Sequence, residues 1–180
     1  MEEALKALLP KIVPGRECLF VVHEGKPDLE KSIPRKLRAW QAKDDVFVVV
    51  RDQDSFDCHL LKEHLVDLCI KGGREDVLVR IACKELESWF LGDLAAMEAG
   101  LGVTNLSRLE KKRKYRDPDR LGNPKEEIRK LVKNYRQISG ARAVGPHLEP
   151  RRNNSKSFQV FVSGLLRLSG LTSDMSVTGR

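Results

Sequence analysis

"DVFVVVRDQDSFD", residues 45–57, decides the reading of this chain: an apolar strand that runs directly into acid. Phe47, Val48, Val49 and Val50 read as a strand buried on both faces, and Asp52 and Asp54 follow two apart where it should end, with Asp57 just beyond. Like charges held together cost free energy unless a cation, a helix cap or solvent compensates them. Such a cluster in a chain of net charge +7 therefore asks for a function.

On either side, apolar strands alternate with helical periods. Leu5, Leu8, Leu9 and Ile12 recur at a helical spacing over 2–13, and "CLFVV" (18–22) reads as a short buried strand. A helix capped by Asp28 or Ser32 runs to Trp40, with Pro34 in its first turn or bending it. Ser55 to Lys71 is helical and ends at Gly72-Gly73, "DVLVRIA" (76–82) is a further strand, and "KELESWFLGDLAAMEAGLG" opens as a helix. Nearly unbroken apolar strands between helices predict an α/β fold, a parallel sheet flanked by helices. Ligands of such sheets bind beyond the carboxyl ends of the strands, where Asp52, Asp54, Glu85 and Glu87 all fall.

After Gly100 the pattern turns polar and basic. Residues 1–100 carry a net charge of −4, residues 101–160 one of +10 and residues 161–180 one of +1. The expected organisation is an α/β domain over 1–100, a basic, mainly helical extension packed on it over 101–170, and a frayed tail over 171–180. Within the extension a helix is expected from Pro124 to Arg136, a loop over 141–157, and a final helix over 157–170. Lys111, Lys112, Arg113, Lys114 and Arg116, with Tyr115 among them, suit phosphates and a stacked base. The alternative is a solvated surface.

The composition, 41% hydrophobic and 33% charged, is that of a soluble protein, and no apolar run approaches a membrane span. The start "MEEALKALLPKIV" lacks the basic segment of a signal peptide, so a cytoplasmic location is expected. Cys18, Cys58, Cys69 and Cys83 are scattered and the four histidines do not complete a zinc site, so neither a disulfide framework nor a structural zinc is indicated.

Asp52 and Asp54, at i and i+2, project to one side if the strand geometry continues. Joined by Glu85 or Glu87, they offer the hard oxygen ligands that suit Mg²⁺ or Mn²⁺. Against this stands a plain helix cap by Asp54 and an ordinary first-turn acid at Glu85. Lys26, in the glycine turn "HEGKPDL" (23–29), is placed to reach an anion, and Trp89 and Phe90 belong to the core.

An apolar strand ending in Asp-x-Asp resembles the second signature of the Toprim fold of topoisomerases, primases and overcoming-lysogeny-defect nucleases. More closely, "GKPDLEKSIPRKLRAW", "RDQD", "KELESWFLGD" and "NNSKSF" resemble a bacterial family of Toprim-like proteins, a domain of unknown function, over about residues 2–168. The resemblance implies Mg²⁺-dependent cleavage or processing of nucleic acid, with a role in bacterial defence, an ATPase subunit as a protein partner, and self-association among its expectations. Asp52 and Asp54 would hold the metal, Glu3, Glu85 and Glu87 would act beside it, and Lys26 and the 111–116 cluster would bind phosphates. The rival reading is a nucleic-acid-binding or complex-forming subunit without catalysis. A Toprim domain delivers a glutamate from a strand ahead of its first helix. This sequence opens directly in that helix, so either it starts from an internal point of a longer chain or Glu2 or Glu3 stands in, and low activity is expected of residues 1–180 alone. A sheet begun at Cys18 would leave a place beside 45–51, met by a gap, by closure, or by a borrowed strand.

Overall fold

The computed structural model describes residues 1–171, and the expected frayed tail falls almost wholly outside them. Its centre is one parallel strand pair, β1 (Val48–Asp52) and β2 (Leu78–Ala82), with Val48 opposite Leu78 and Asp52 opposite Ala82. Helix α3 (Cys58–Lys71) makes the crossover between them. Asp57 caps it, its carboxylate accepting from the backbone N–H of His59 at 2.9 Å and of Leu60 at 3.1 Å. Helices α1 (Glu2–Ile12) and α2 (Lys26–Ala39) precede the sheet. Five follow it: α4 (Leu86–Leu91), α5 (Leu94–Leu101), α6 (Pro124–Leu131), α7 (Gln137–Val144) and α8 (Lys156–Leu168). The fold is mixed α/β, with eight α-helices around a two-stranded parallel sheet among the described residues.

Several expectations need correction. "CLFVV" forms no strand: Leu19 is 75% and Val22 62% exposed, because an apolar run becomes a strand only where another strand accepts its hydrogen bonds. For the same reason β1 is not buried on both faces. It pairs only with β2 among the described residues, so Val48 is exposed and Val49 and Val50 are half-buried. Among the described residues no strand besides β2 pairs with β1, although Phe20 of the 18–22 segment packs on the same cluster as Val50. Helix α2 starts at Lys26, inside the supposed turn, and carries Pro34 in its interior. The 124–136 helix stops at Leu131, and the 141–157 loop holds the end of α7 and a 3₁₀ turn, Gly145–His147.

Two apolar clusters hold these elements. One joins the sheet to α2 and α3 through Ile33, Leu37, Leu61, Leu65, Val79 and Ile81. The larger joins α1 to α4–α8, with Trp89 and Phe90 fully buried as expected. The Trp89 ring stacks on Phe161 at 4.9 Å between centroids and meets Phe158 edge-on at 5.3 Å. Truncating a ring of this kind to alanine costs about 3–5 kcal/mol.

Two of the sequence stretches singled out above interlock here. Asn153 Nδ2 donates to the Trp89 carbonyl at 2.7 Å, and Asn154 N–H to that of Gly92 at 2.8 Å. A Cβ on Gly92 would lie 2.2 Å from Asn153 Oδ1, so only glycine allows this approach. Ser157 Oγ accepts from Trp89 Nε1 at 3.0 Å and from the Cys83 N–H at 3.2 Å. "NNSKSF" is thus a clamp on "KELESWFLGD", and through it on the end of β2.

Candidate functional site

The strand pairing carries past Asp52. Gln53 N–H donates to the Ala82 carbonyl and Asp54 N–H to that of Lys84, both at 2.9 Å. This extension holds the segment after β1 beside the segment that leads into α4, so that their acids collect at the carboxyl edge of the sheet.

Asp52 is the last residue of β1, and its Oδ1 accepts from the Leu86 N–H at 3.0 Å. Burial pushes its pKa up to about 7, and the charge of Glu87 adds to the rise. The amino terminus at Met1 lies close enough to act in the opposite direction. Glu87, on α4, is only 2% exposed, and its Oε1 accepts from Gln137 Nε2 at 3.1 Å and from the Tyr135 hydroxyl at 3.3 Å. Burial and this carboxylate together raise the Tyr135 pKa, which keeps the hydroxyl a donor.

The other sequence candidates divide. Asp54 leaves the strand geometry and is drawn to α2: its backbone turns left-handed (φ 54°) and its carboxylate pairs with the Lys26 ammonium, while its charge still adds a smaller part to the rise at Asp52. It does not cap α3, since Asp57 does. Glu85 faces α6, 3.8 Å from Lys125 Nζ and 3.4 Å from the Lys125 N–H. Glu3 turns to Arg142 of α7, whose Nε donates to it at 2.6 Å, and this contact lowers the Glu3 pKa. It therefore does not join the carboxylate pair. Among the described residues no group of three or more His, Cys, Asp or Glu side chains is arranged to hold a metal ion.

Lys111, Lys112, Arg113, Lys114 and Arg116 are exposed on short 3₁₀ turns. Arg113, Lys114 and Arg116, with Arg120 and Asp117, line a cavity of about 340 Å³. Lys114 is tied from below: its Nζ lies 2.7 Å from Glu127, which also accepts from the Tyr115 hydroxyl at 2.6 Å. Tyr115 is buried, so it serves as an anchor for the cluster and not as a stacking platform.

A family model described as "Domain of unknown function (DUF4276)" matches residues 1–166. The chain belongs to the DUF4276 family. No curated protein and no solved structure matches it. No helix among the described residues of this DUF4276 chain is long and apolar enough to cross a membrane. Nothing in the sequence marks Tyr135 and Gln137, which hold Glu87. They lie in "NYRQ", a stretch with no motif at the end of the helix expected over 124–136.

Proposed function

We propose that this DUF4276 protein is a Toprim-like, Mg²⁺-dependent enzyme that cleaves or processes nucleic-acid phosphodiesters. The observation that carries the reading is the pair Asp52–Glu87: two carboxylates withdrawn from water at the carboxyl edge of a parallel sheet, one raising the proton affinity of the other. A divalent cation relieves that repulsion, and hard oxygen donors fit Mg²⁺. Among the described residues no third carboxylate converges on these two, so water and substrate oxygens would complete the shell, as Mg²⁺ favours. When bound, the ion supplies Lewis acidity toward a phosphoryl oxygen.

The remaining roles belong to the chain's own side chains. Tyr135 and Gln137 fix the Glu87 carboxylate, and the Leu86 N–H fixes that of Asp52. Lys26 neutralises Asp54 at the rim and offers a cation toward an incoming phosphate. The exposed cations around the 340 Å³ cavity hold the backbone further along.

That no third carboxylate converges among the described residues favours a second reading, a nucleic-acid-binding subunit without turnover. Incubation of labelled single- and double-stranded DNA and RNA with the protein and Mg²⁺ separates the two. Cleavage lost in Asp52→Asn and Glu87→Gln supports the enzyme; salt-dependent binding without products supports the subunit.

A further inference from the structure

Of the six Phe, two Trp and two Tyr of the chain, all within the described residues, Phe56 alone stands exposed, at 53%. The others are buried or half-buried, Tyr115 of the basic cluster among them. A ring left in water forgoes the burial free energy that the others gain. Phe56 closes the turn between Asp54 and the α3 cap Asp57, and its backbone is tied on both sides. Its N–H donates to the Gln53 carbonyl at 3.2 Å, and Gln53 Nε2 donates to its carbonyl at 2.7 Å. Behind the ring lies Arg51, buried and ion-paired with Glu30 of α2, its guanidinium carbon 5.4 Å from the ring centroid. A cation fixed over one face leaves the exposure to the other face and the edge. A turn of this kind keeps its first and fourth Cα atoms within about 7 Å, and adjacent Cα atoms are about 3.8 Å apart. The Phe56 Cα therefore lies within about 11 Å of that of Asp52.

We propose that Phe56 is a stacking platform for an unpaired nucleobase, an inference that rests on the nucleic-acid reading above and names its substrate as single-stranded or locally opened. Bases in a duplex already stack on their neighbours, so a protein ring finds a free base face only where the strand is unpaired. The platform and the acid share one short segment, 52–56, so a base stacked on Phe56 carries its phosphates to the edge that bears Asp52. Lys26, ion-paired with Asp54 two residues before the ring, is the cation at hand for one of those phosphates. The 111–116 cluster supplies no stack of its own, because Tyr115 is buried and its hydroxyl donates to Glu127. Phosphates are thus held at the basic cluster, and the base is held at Phe56.

The test is fluorescence anisotropy with labelled oligo(dT) and with a duplex of the same length, in EDTA and over a salt series. Phe56→Ala should weaken oligo(dT) binding by roughly 5- to 150-fold, the loss of one base–aromatic stack, and leave duplex affinity unchanged. The slope of log K against log[salt] should stay as in the wild type, because a lost stack releases no counterion. Phe56→Tyr keeps the ring and should bind oligo(dT) as the wild type does, which separates a lost stack from a disturbed fold. Oligo(dT) binding that Phe56→Ala leaves intact, or that Phe56→Leu retains in full, would overturn the platform, as would an equal loss on the duplex. A wild type that binds no oligonucleotide would overturn it together with the nucleic-acid reading. Neither metal nor turnover enters the measurement, so failure of the proposed enzyme activity alone leaves the result standing.

Discussion

Asp52 and Glu87 bring their carboxyls to one partly buried space from the end of a strand and the start of a helix, and Glu87 adds to the burial that holds Asp52 at a pKa of about 7. An unfolded aspartate titrates near 3.9, so between about pH 4 and pH 7 the folded chain binds the extra proton. Stability from this group is therefore complete below about pH 4 and is lost as pH rises through 7. Asp52→Asn removes the titration while keeping an oxygen for the Leu86 N–H. The variant should gain on the wild type by roughly 2–4 kcal/mol between pH 4 and pH 8 in denaturant melts. A constant difference would remove the raised carboxyl from the account.

Cation binding at the pair must displace the same proton. Apparent Mg²⁺ affinity should fall about tenfold per pH unit below 7 and level off above it, and binding at pH 6 should release a proton. Calorimetry in buffers of different ionisation enthalpy measures both. At a free Mg²⁺ concentration ten times the dissociation constant, stability should rise by about 1.4 kcal/mol.

Tyr135→Phe and Gln137→Ala each remove one donor from a carboxylate buried to 2% exposure. Each loss should destabilise the apo protein by about 1–3 kcal/mol and weaken its Mg²⁺ response. Both variants folding and binding Mg²⁺ as the wild type does would show that Glu87 needs no positioning.

The basic cluster is not uniform. Lys114 is held by the buried Glu127, whereas Lys111, Lys112 and Arg113 make no such ion pair among the described residues. Replacing those three by alanine should flatten the slope of log K against log[salt] for duplex DNA by up to about 2.7, at ~0.9 per lost phosphate contact. Lys114→Ala should instead lower thermal stability as well, because it strips Glu127 of its strongest cation. An unchanged slope in the triple variant would make the run a solvated surface.

What could be read from the sequence was what depends on local pattern. The apolar runs of β1 and β2, the period of α3 and its Gly72-Gly73 end, and the burial of Trp89 and Phe90 all follow from side-chain spacing. "CLFVV" carries the same pattern as β1 and forms no strand, since pairing is a property of two segments and spacing reports only one. The gathering of acids at the sheet edge was legible too. That the charge of Glu87 bears on Asp52 more than that of Asp54 was not, because it depends on the left-handed turn at Asp54 and on Lys26 arriving from α2. Capping by Asp57 leaves Asp54 free for that ion pair, and two aspartates three apart do not say which of them takes the helix.

The central claim is that Asp52 and Glu87 together hold a divalent cation. The most direct measurement is a crystal of the protein grown with Mn²⁺ near pH 8, with the ion located by its anomalous signal. The account predicts a peak within about 2.0–2.3 Å of a carboxylate oxygen of Asp52 and of Glu87, absent in Asp52→Asn. Well-ordered carboxylates with no peak between them, or a peak held only by Asp54 and Glu85, would contradict it.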